Sequence, residues 1–449
     1  MSYIEKQLTT AERHHQLTNI NIWTPDSQWL VYDVRQDESQ FTGETIERVN
    51  VETGECEILY EGQEGACVGV ATVAPQEPTR YAFIRGPQHP DAQWSYAPYH
   101  RCGVILNGQT QQADVLDALD ITAPYTVGAL RGGSHVHVFS PDGSRLSFTY
   151  NDYVMHQCDP ALDLRNVAVA LPMGLVTVER QHPREHDGSH FCQVISKTTS
   201  QPTPGSDEIS RAYEEGWVGQ TGYQRSDGKL QRWALAFIGD TRDENNLLIP
   251  EVFIADLPEN LDAYRDAGEH PIEGGVCFMP APAKTICQRR LTDTRNRRYP
   301  GVVTSPRHWL RASPNGEVIA FLMRDDNGVI QLWFVSPNGG ELMQVTHGRY
   351  DVQSAFSWSP DGHAIAFVMD NSIVRCDVVT GAMTRLTPRS EDDNAPLPSA
   401  VVYSPDSRYI AFLRTIEGYA QVCVVETLPH DEPKEPFSET CEQDDAPCC

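Results

Sequence analysis

The feature that constrains this fold most strongly is a hairpin pattern that recurs along the chain. In each copy an apolar strand runs into a turn containing proline and usually Asp or Asn, and a second apolar strand follows. The copies are "NIWTPDSQWLVYD" (21–33), "VATVAPQEPTRYAFI" (70–84, the weakest), "HVFSPDGSRLSFTY" (137–150), "RASPNGEVIAFLM" (311–323), "FSWSPDGHAIAFVM" (356–369) and "VVYSPDSRYIAFL" (401–413). Turn residues between two apolar runs indicate a β-hairpin.

A second short element recurs between these hairpins. It reads "CQRRLTD" (287–293), "ELMQVTH" (341–347) and "AMTRLTP" (382–388), and a further apolar strand precedes it. About four strands in about 40 residues is the pattern of a β-propeller blade. We therefore predict an all-β chain, folded as a single seven-bladed β-propeller, with blades that begin near residues 19, 67, 135, 189, 307, 353 and 398.

The ends of the chain predict how the ring closes. The seventh blade has three strands, and "EKQLTT" (5–10) matches the missing fourth, so the N-terminal strand should complete the last blade. The propeller is predicted over residues 1–428. Its fourth blade would use "SHFCQVISK", "RWALAFIGD", "EVFIADLP" and "CQRRLTD" as strands around a long insertion at about 194–285. Residues 429–449 are acidic and polar and are predicted to be a disordered tail.

Composition restricts the partners. The formal net charge is −27, which disfavours nucleic acid and anionic membranes as ligands. No apolar run reaches the ~18–20 residues of a membrane span. The N-terminus lacks the apolar core of a signal peptide, and the 12 cysteines are scattered, so a cytoplasmic location is expected.

Histidines fall at one recurrent position of the predicted blades. The first strand of a propeller blade lines the central channel, and His135 and His308 stand six residues before the prolines of their turns. His137 stands four before, His190 lies at a similar point of the fourth blade, and Gln353 begins the sixth. Imidazole is the commonest metal ligand, so these residues predict a divalent metal, Mn or Zn, at the channel mouth. The alternative is that they are a wetted channel lining.

Other residues are weaker candidates. Arg184, in "QHPREHDGSH", would clamp a carboxylate, and Tyr150 would act as an acid; the alternatives are a solvated loop and a packed strand tyrosine. The substrate-binding candidates are Asn19, at the entry of the first blade, and the loop arginines Arg295, Arg297 and Arg298.

The chain resembles two kinds of known propeller. The repeats look like TolB-type propeller repeats, and "TGETIERVN", "LRGGSHVHVFSPDG", "DPALDLRNV" and "SRAYEEGWVG" resemble the YidR family over nearly all of residues 10–428. That family is catalogued as a domain of unknown function. Relative to it, residues 220–233 and the C-terminal tail look like insertions.

The stretch "SHVHVFSPD" is also similar to the oligogalacturonate lyases, cytoplasmic seven-bladed propellers with a manganese site made by histidines and a glutamine. In this resemblance His308 corresponds to a third histidine and Gln353 to the glutamine. It implies β-elimination on an oligosaccharide that contains uronic acid, with a metal that neutralises the carboxylate and a base that removes the α-proton. Two functions remain open: a metal-dependent lyase, or a non-catalytic propeller that binds protein or glycan.

Overall fold

The computed structural model describes residues 3–36 and 39–429, and these form a closed ring of seven β-sheets. The first strand, β1 (Glu5–Gln7), belongs to the last sheet. It pairs antiparallel with the chain's last strand, with Glu5 opposite Val425 and Gln7 opposite Cys423. Leu8 continues this pairing through its N–H to the carbonyl of Val422. The predicted closure by the N-terminal strand is confirmed.

The first four blades follow in chain order. Blade 1 contains β2 (Trp29–Asp33), β3 (Thr45–Asn50) and β4 (Cys56–Glu61), with residues 16–23 bridging to β2 on its channel side. Blade 2 contains β5 (Val68–Val73), β6 (Arg80–Arg85), β7 (Cys102–Asn107) and β8 (Ala113–Val115). Blade 3 contains β9 (Gly132–Phe139), β10 (Leu146–Asp152), helix α1 (Tyr153–Cys158), a short 3₁₀ helix (Pro160–Leu162), β11 (Asn166–Leu171) and β12 (Phe191–Val194). Blade 4 contains β13 (Ala212–Trp217), an added hairpin of β14 (Tyr223–Gln224) and β15 (Leu230–Gln231), then β16 (Trp233–Arg242), β17 (Leu248–Leu257), a 3₁₀ helix (Leu261–Arg265) and β18 (Cys287–Arg290).

The remaining three blades are shorter and more regular. Blade 5 contains β19 (Arg311–Ala312), β20 (Ile319–Arg324), β21 (Ile330–Val335) and β22 (Met343–Gln344). Blade 6 contains β23 (Ser357–Trp358), β24 (Ala364–Met369), β25 (Ser372–Asp377) and β26 (Met383–Arg385). A 3₁₀ helix (Asp392–Asn394) leads to blade 7, which contains β27 (Pro396–Tyr403), β28 (Tyr409–Ile416), β29 (Tyr419–Glu426) and β1.

One strand was predicted in the wrong blade. The segment "FCQV" is β12, the outer strand of blade 3, where Val194 lies opposite Ala168; blade 4 begins instead with β13. An apolar run indicates a strand but does not say which strand it pairs with. After β11, residues 172–190 contact blade 2, where His186 bridges to Leu119, and the chain then forms β12 beside β11. The span 194–285, predicted to hold one long insertion, contains β13, β16 and β17 and the connections before, between and after them. The predicted disordered tail lies outside the described residues, apart from Pro429.

The core lies between the blades. Clusters of buried apolar residues join neighbouring sheets, as Ala82 of blade 2 and Phe148 of blade 3 do. Strands are apolar on both faces because both faces are covered, each buried large side chain contributing about 1.5–3 kcal/mol. Indole N–H groups also link blades: Trp23 donates to the carbonyl of Val402, and Trp358 to that of Arg311. Among the described helices, none has the length and apolar character needed to cross a membrane.

Candidate functional site: a cationic cavity at the channel mouth

One end of the central channel opens into a cavity of about 760 Å³, the mouth cavity. The connections before the first and third strands of the blades meet at this end. They place five arginines on the cavity wall: Arg35, Arg101, Arg165, Arg211 and Arg307. Two carboxylates, Glu214 and Asp240, also line it, so the described residues of the wall carry a formal charge of +3 on a chain whose net charge is −27. Such a local field attracts anions despite the acidic surface.

Three of these arginines lack a carboxylate partner among the described residues. Arg35 pairs with Asp33 at 2.6 Å and Arg307 with Glu214 at 2.9 Å. The others make neutral contacts: Arg101 donates to the hydroxyl of Tyr96, Arg165 to that of Thr149, and Arg211 lies over the ring of Tyr213.

Burial gives two of these cations, Arg101 and Arg165, an energetic cost. It lowers the pKa of Arg165 to about 9, with help from the positive charge of Arg101. Burial is also the main cause that lowers the pKa of Arg101 itself. Holding uncompensated cations out of water is unfavourable for folding, so their gathering in one cavity points to a function rather than to stability.

His135 lines the mouth cavity as a neutral side chain. Its Nδ1 lies 3.0 Å from Nη2 of Arg165, and a guanidinium can only donate, so Nδ1 accepts and the proton belongs on Nε2. Burial lowers the pKa of His135 well below its ordinary value, and the charges of Arg101, Arg165 and Arg307 act in the same direction. At neutral pH the imidazole is therefore a hydrogen-bond donor and not a cation.

His137 does not join His135. Val136 has a left-handed backbone (φ 57°), and the β9–β10 register shifts between Ser147 and Thr149. This bulge breaks the alternation that would send both histidines to one side. His137 is fully buried beside Gly103 of blade 2, neither ring nitrogen has a hydrogen-bond partner, and burial lowers its pKa to about 3.

The other predicted metal ligands are also separated. His308 reaches the mouth cavity, but its Nδ1 contacts the carbonyl of Pro306 and its Nε2 accepts the N–H of Leu322. His190 lies between blades 2 and 3, where its backbone bridges to Asp117 just beyond β8. Gln353 bonds to Asn371 and does not line the cavity.

The metal prediction fails on this geometry. Within residues 3–36 and 39–429, no three His, Cys, Asp or Glu side chains are grouped so as to hold a metal ion. The imidazole nearest the channel, His135, faces arginines, which repel a divalent cation. The side chains present therefore do not fit Mn or Zn.

The two predicted catalytic residues have structural contacts instead. Tyr150 is fully buried, and its hydroxyl donates to Asp152, the carboxylate that pairs with Arg131. Arg184 lies outside the mouth cavity and binds the carbonyls of Gln88 and His89. Neither side chain lines the mouth cavity.

The predicted substrate-binding residues lie elsewhere as well. Asn19 accepts from Arg311 at 2.5 Å and lines the cavity at the opposite end of the channel. The loop arginines are absent from the mouth cavity and contact acidic residues: Arg295 pairs with Asp293 and Glu244, while Arg297 and Arg298 contact Asp326.

Sequence reasoning missed the arginines that do form the site, although a signal exists. In "YHRCGVIL", "LDLRNVAVAL" and "ISRAYEEGW" a single arginine stands directly before a first or third strand of a blade. Those strands start at the same end of the channel. An alignment of strand starts, rather than of turn prolines, would have brought Arg101, Arg165 and Arg211 together.

Fold and cavity together define a seven-bladed β-propeller with an arginine-rich channel mouth. The chain belongs to the YidR family: it is 54% identical over 422 residues to the uncharacterized protein YidR of Escherichia coli (strain K12), a match that covers 94% of this chain and 97% of that protein. The family model DUF3748, described as a protein of unknown function, matches residues 67–186.

Solved structures share the fold at low identity. An oligogalacturonate lyase in complex with manganese aligns with a TM-score of 0.56 and 10% identity, over 96% of this chain and 97% of that one. An oligogalacturonate lyase from Vibrio parahaemolyticus aligns with a TM-score of 0.55 and 9% identity, over 95% and 97% of the two chains. These matches show a common propeller architecture.

Proposed function

We propose that the mouth cavity binds the carboxylate groups of an acidic oligosaccharide, of the class that contains uronic acid. The observation that carries the proposal is a set of three cavity arginines, Arg101, Arg165 and Arg211, for which the described residues provide no carboxylate partner. Arg101 is buried, Arg165 is half-buried and Arg211 is exposed. A guanidinium binds a carboxylate through two parallel hydrogen bonds, and such a ligand would supply the missing negative charge.

The rest of the wall suits a sugar. Phe41 and Tyr96 stack at 4.6 Å, and Pro98 and Leu248 add apolar surface around the cations. A cavity of about 760 Å³ lies within the usual range for small-ligand sites. The oligogalacturonate lyases, which share the fold, are named for a uronate oligosaccharide. The proposal includes a cytoplasmic location. The nine cysteines of the described residues form no disulfide, which is usual for a protein of a reducing compartment.

In this proposal guanidinium groups neutralise the ligand, and no metal takes part. The N–H of His135 adds a neutral donor beside Arg165. Binding by itself, without turnover, corresponds to the non-catalytic glycan-binding function.

A second candidate function is β-elimination with Arg165 as the base, favoured by the position of Arg165 on the cavity wall beside His135 and by burial, which lowers its pKa. In that reaction the deprotonated fraction of Arg165 takes the proton on the carbon that bears the carboxylate. The C–H electrons form a double bond to the neighbouring carbon, the bond from that carbon to the leaving sugar oxygen breaks, and the oxygen takes up a proton. The neighbouring guanidiniums stabilise the charge that develops on the carboxylate.

Calorimetry with a galacturonate trimer tests the binding proposal. Arg165→Met should weaken binding by about 10- to 100-fold, because a charged hydrogen bond is lost, while EDTA should change nothing. Arg295→Met is the matched control, since Arg295 is an arginine outside the cavity. Equal binding of the methyl-esterified trimer, or wild-type affinity in Arg165→Met, would contradict the proposal. Ultraviolet absorbance of an unsaturated product separates elimination from binding alone.

A further inference from the structure

The opposite end of the channel holds a second cavity, the funnel, of about 850 Å³. The hairpin turns of six blades meet around it. Their prolines line it: Pro25, Pro75, Pro141, Pro314, Pro360 and Pro405. Aromatic side chains stand between them: Trp23, Phe139, Trp217, Trp233, Trp358 and Tyr403. The funnel is thus a mainly apolar surface made from the same repeated turn.

The indole rings of the funnel are held in place by their neighbours. Trp23, Trp217 and Trp358 each donate the indole N–H to a backbone carbonyl of the adjacent blade, at 3.0–3.1 Å. Their polar atoms are therefore already used, and the rings offer carbon faces to a ligand. That surface suits an apolar or proline-bearing segment better than a strongly polar one.

The hairpin β14–β15 adds an exposed apolar side chain to the funnel. Leu230 lines it and is 60% exposed. The hairpin is fastened to blade 5, since Asn338 accepts the N–H of Ser226 and donates to the carbonyl of Gln224. Leu230 thus extends the apolar lining of the funnel toward solvent.

The described chain ends beside this same rim. Strand β29 ends at Glu426, and Thr427 then bonds to the carbonyls of Ser407 and Arg408. Those two residues follow Pro405, which lines the funnel. The sequence continues from this point for 20 residues, 430–449.

We propose that residues 431–437, "DEPKEPF", bind in the funnel of their own chain. Pro433 and Pro436 have the P-x-x-P spacing, which in a polyproline II helix places both rings on one face, and Phe437 follows them. Aromatic-lined grooves are the recognised partners of such segments. The eight steps between the nine residues from Pro429 to Phe437 span ~25 Å at ~3.1 Å each, enough to enter from the rim.

Charge and tethering support the same occupant. Residues 430–449 contain seven acidic residues and one lysine. The described lining of the funnel has two arginines, Arg232 and Arg311, and one carboxylate, Asp142, which pairs with Arg232 at 3.8 Å. A tethered segment has an effective concentration in the millimolar range, so weak contacts are enough to fill the site. The inference does not depend on the ligand proposed for the mouth cavity.

A peptide competition on the full-length chain tests the proposal. The probe is a fluorescent peptide of residues 429–440, and the variant is the full chain with Pro433→Ala, Pro436→Ala and Phe437→Ala. The variant should bind the probe at least about tenfold more tightly than the wild-type chain, whose own segment competes. A scrambled peptide should bind neither.

Two further measurements keep the outcomes distinct. Leu230→Ser in the triple variant should weaken binding of the probe about threefold or more, because apolar surface of the funnel is lost. Leu230 is exposed, so this substitution leaves the core intact. Amide exchange in residues 223–231 should be slower in the wild-type chain than in the triple variant. If both chains bound the probe equally, the funnel would bind a segment of another protein. If neither chain bound the probe, the funnel would not bind this sequence. Either result would overturn the proposal.

Discussion

At the residue scale, single backbone conformations decide which side chains meet. Val70, Val136 and Glu214 all have left-handed φ values in the innermost strands of blades 2, 3 and 4. A left-handed β-branched residue is a true outlier, and it persists only where the surrounding structure enforces it. At Val136 the result is that His135 faces the arginines while His137 enters the core.

We expect His137 to make the protein sensitive to acid. Its folded-state pKa is about 3, far below the ordinary 6.5. Between these two pH values the side chain therefore binds a proton in the unfolded chain but not in the folded chain. The stabilisation is therefore present above pH 6.5 and is lost as pH falls, by about 2 kcal/mol between pH 7 and pH 5.

Denaturant titrations at the two pH values measure this loss. His137→Leu should lose about 2 kcal/mol less than the wild-type chain, and the exposed His270→Leu should lose as much as the wild type. An identical acid loss in His137→Leu and wild type would assign the sensitivity to other groups.

At the element scale, the connections between strands build the mouth cavity. The connection from β6 to β7, residues 86–101, carries Tyr96, Pro98 and Arg101 to its wall. Arg184 fastens this connection through two backbone carbonyls and Asp91, the last at 2.8 Å. A residue predicted to be catalytic thus positions a wall of the site.

Arg184→Ala should loosen that connection without touching the cavity. We expect faster amide exchange over residues 88–96 and about threefold weaker binding of the galacturonate trimer, because two charged hydrogen bonds and an ion pair are lost. Arg180→Ala, which removes an exposed partner of Asp187, is the control. Unchanged exchange in Arg184→Ala would show that the connection is held by other contacts.

At the scale of the whole molecule, the ring depends on its two ends. Strand β1 covers the outer edge of β29, Leu8 is buried, and Thr9 donates to Gln421 across more than 400 residues of sequence. An uncovered strand edge in the last blade would leave backbone groups unpaired.

Deleting residues 1–10 should lower the free energy of unfolding by at least ~3 kcal/mol, from the lost burial of Leu8 and the lost strand pairing. Denaturant unfolding measures the change, and Ile4→Ala, at an exposed side chain beside β1, is the mild control. If the shortened chain unfolds at the same denaturant concentration as the full chain, the closing strand does not stabilise the ring.

The repeat, the number of blades and the closing strand were all predictable from the order of residues. Those features depend on local patterns: an apolar run, a proline turn, a second apolar run, and an unpaired terminal strand that matches the missing one. Each pattern is written in consecutive residues, such as "SPDG" at 140–143 or "KQLTT" at 6–10, so it can be read without knowing the neighbours.

Which side chains share a site depends on how the blades are arranged in three dimensions. Arg101, Arg165 and Arg211 lie in three blades and are brought together because the starts of their strands meet around one channel. The pairing of β12 with β11 depends on the long connection over residues 172–190. The separation of His135 from His137 depends on the bulge at Val136. Neither feature changes the apolar pattern of the sequence. Local periodicity fixes the elements, whereas convergence across blades depends on register and backbone conformation, which the pattern does not specify.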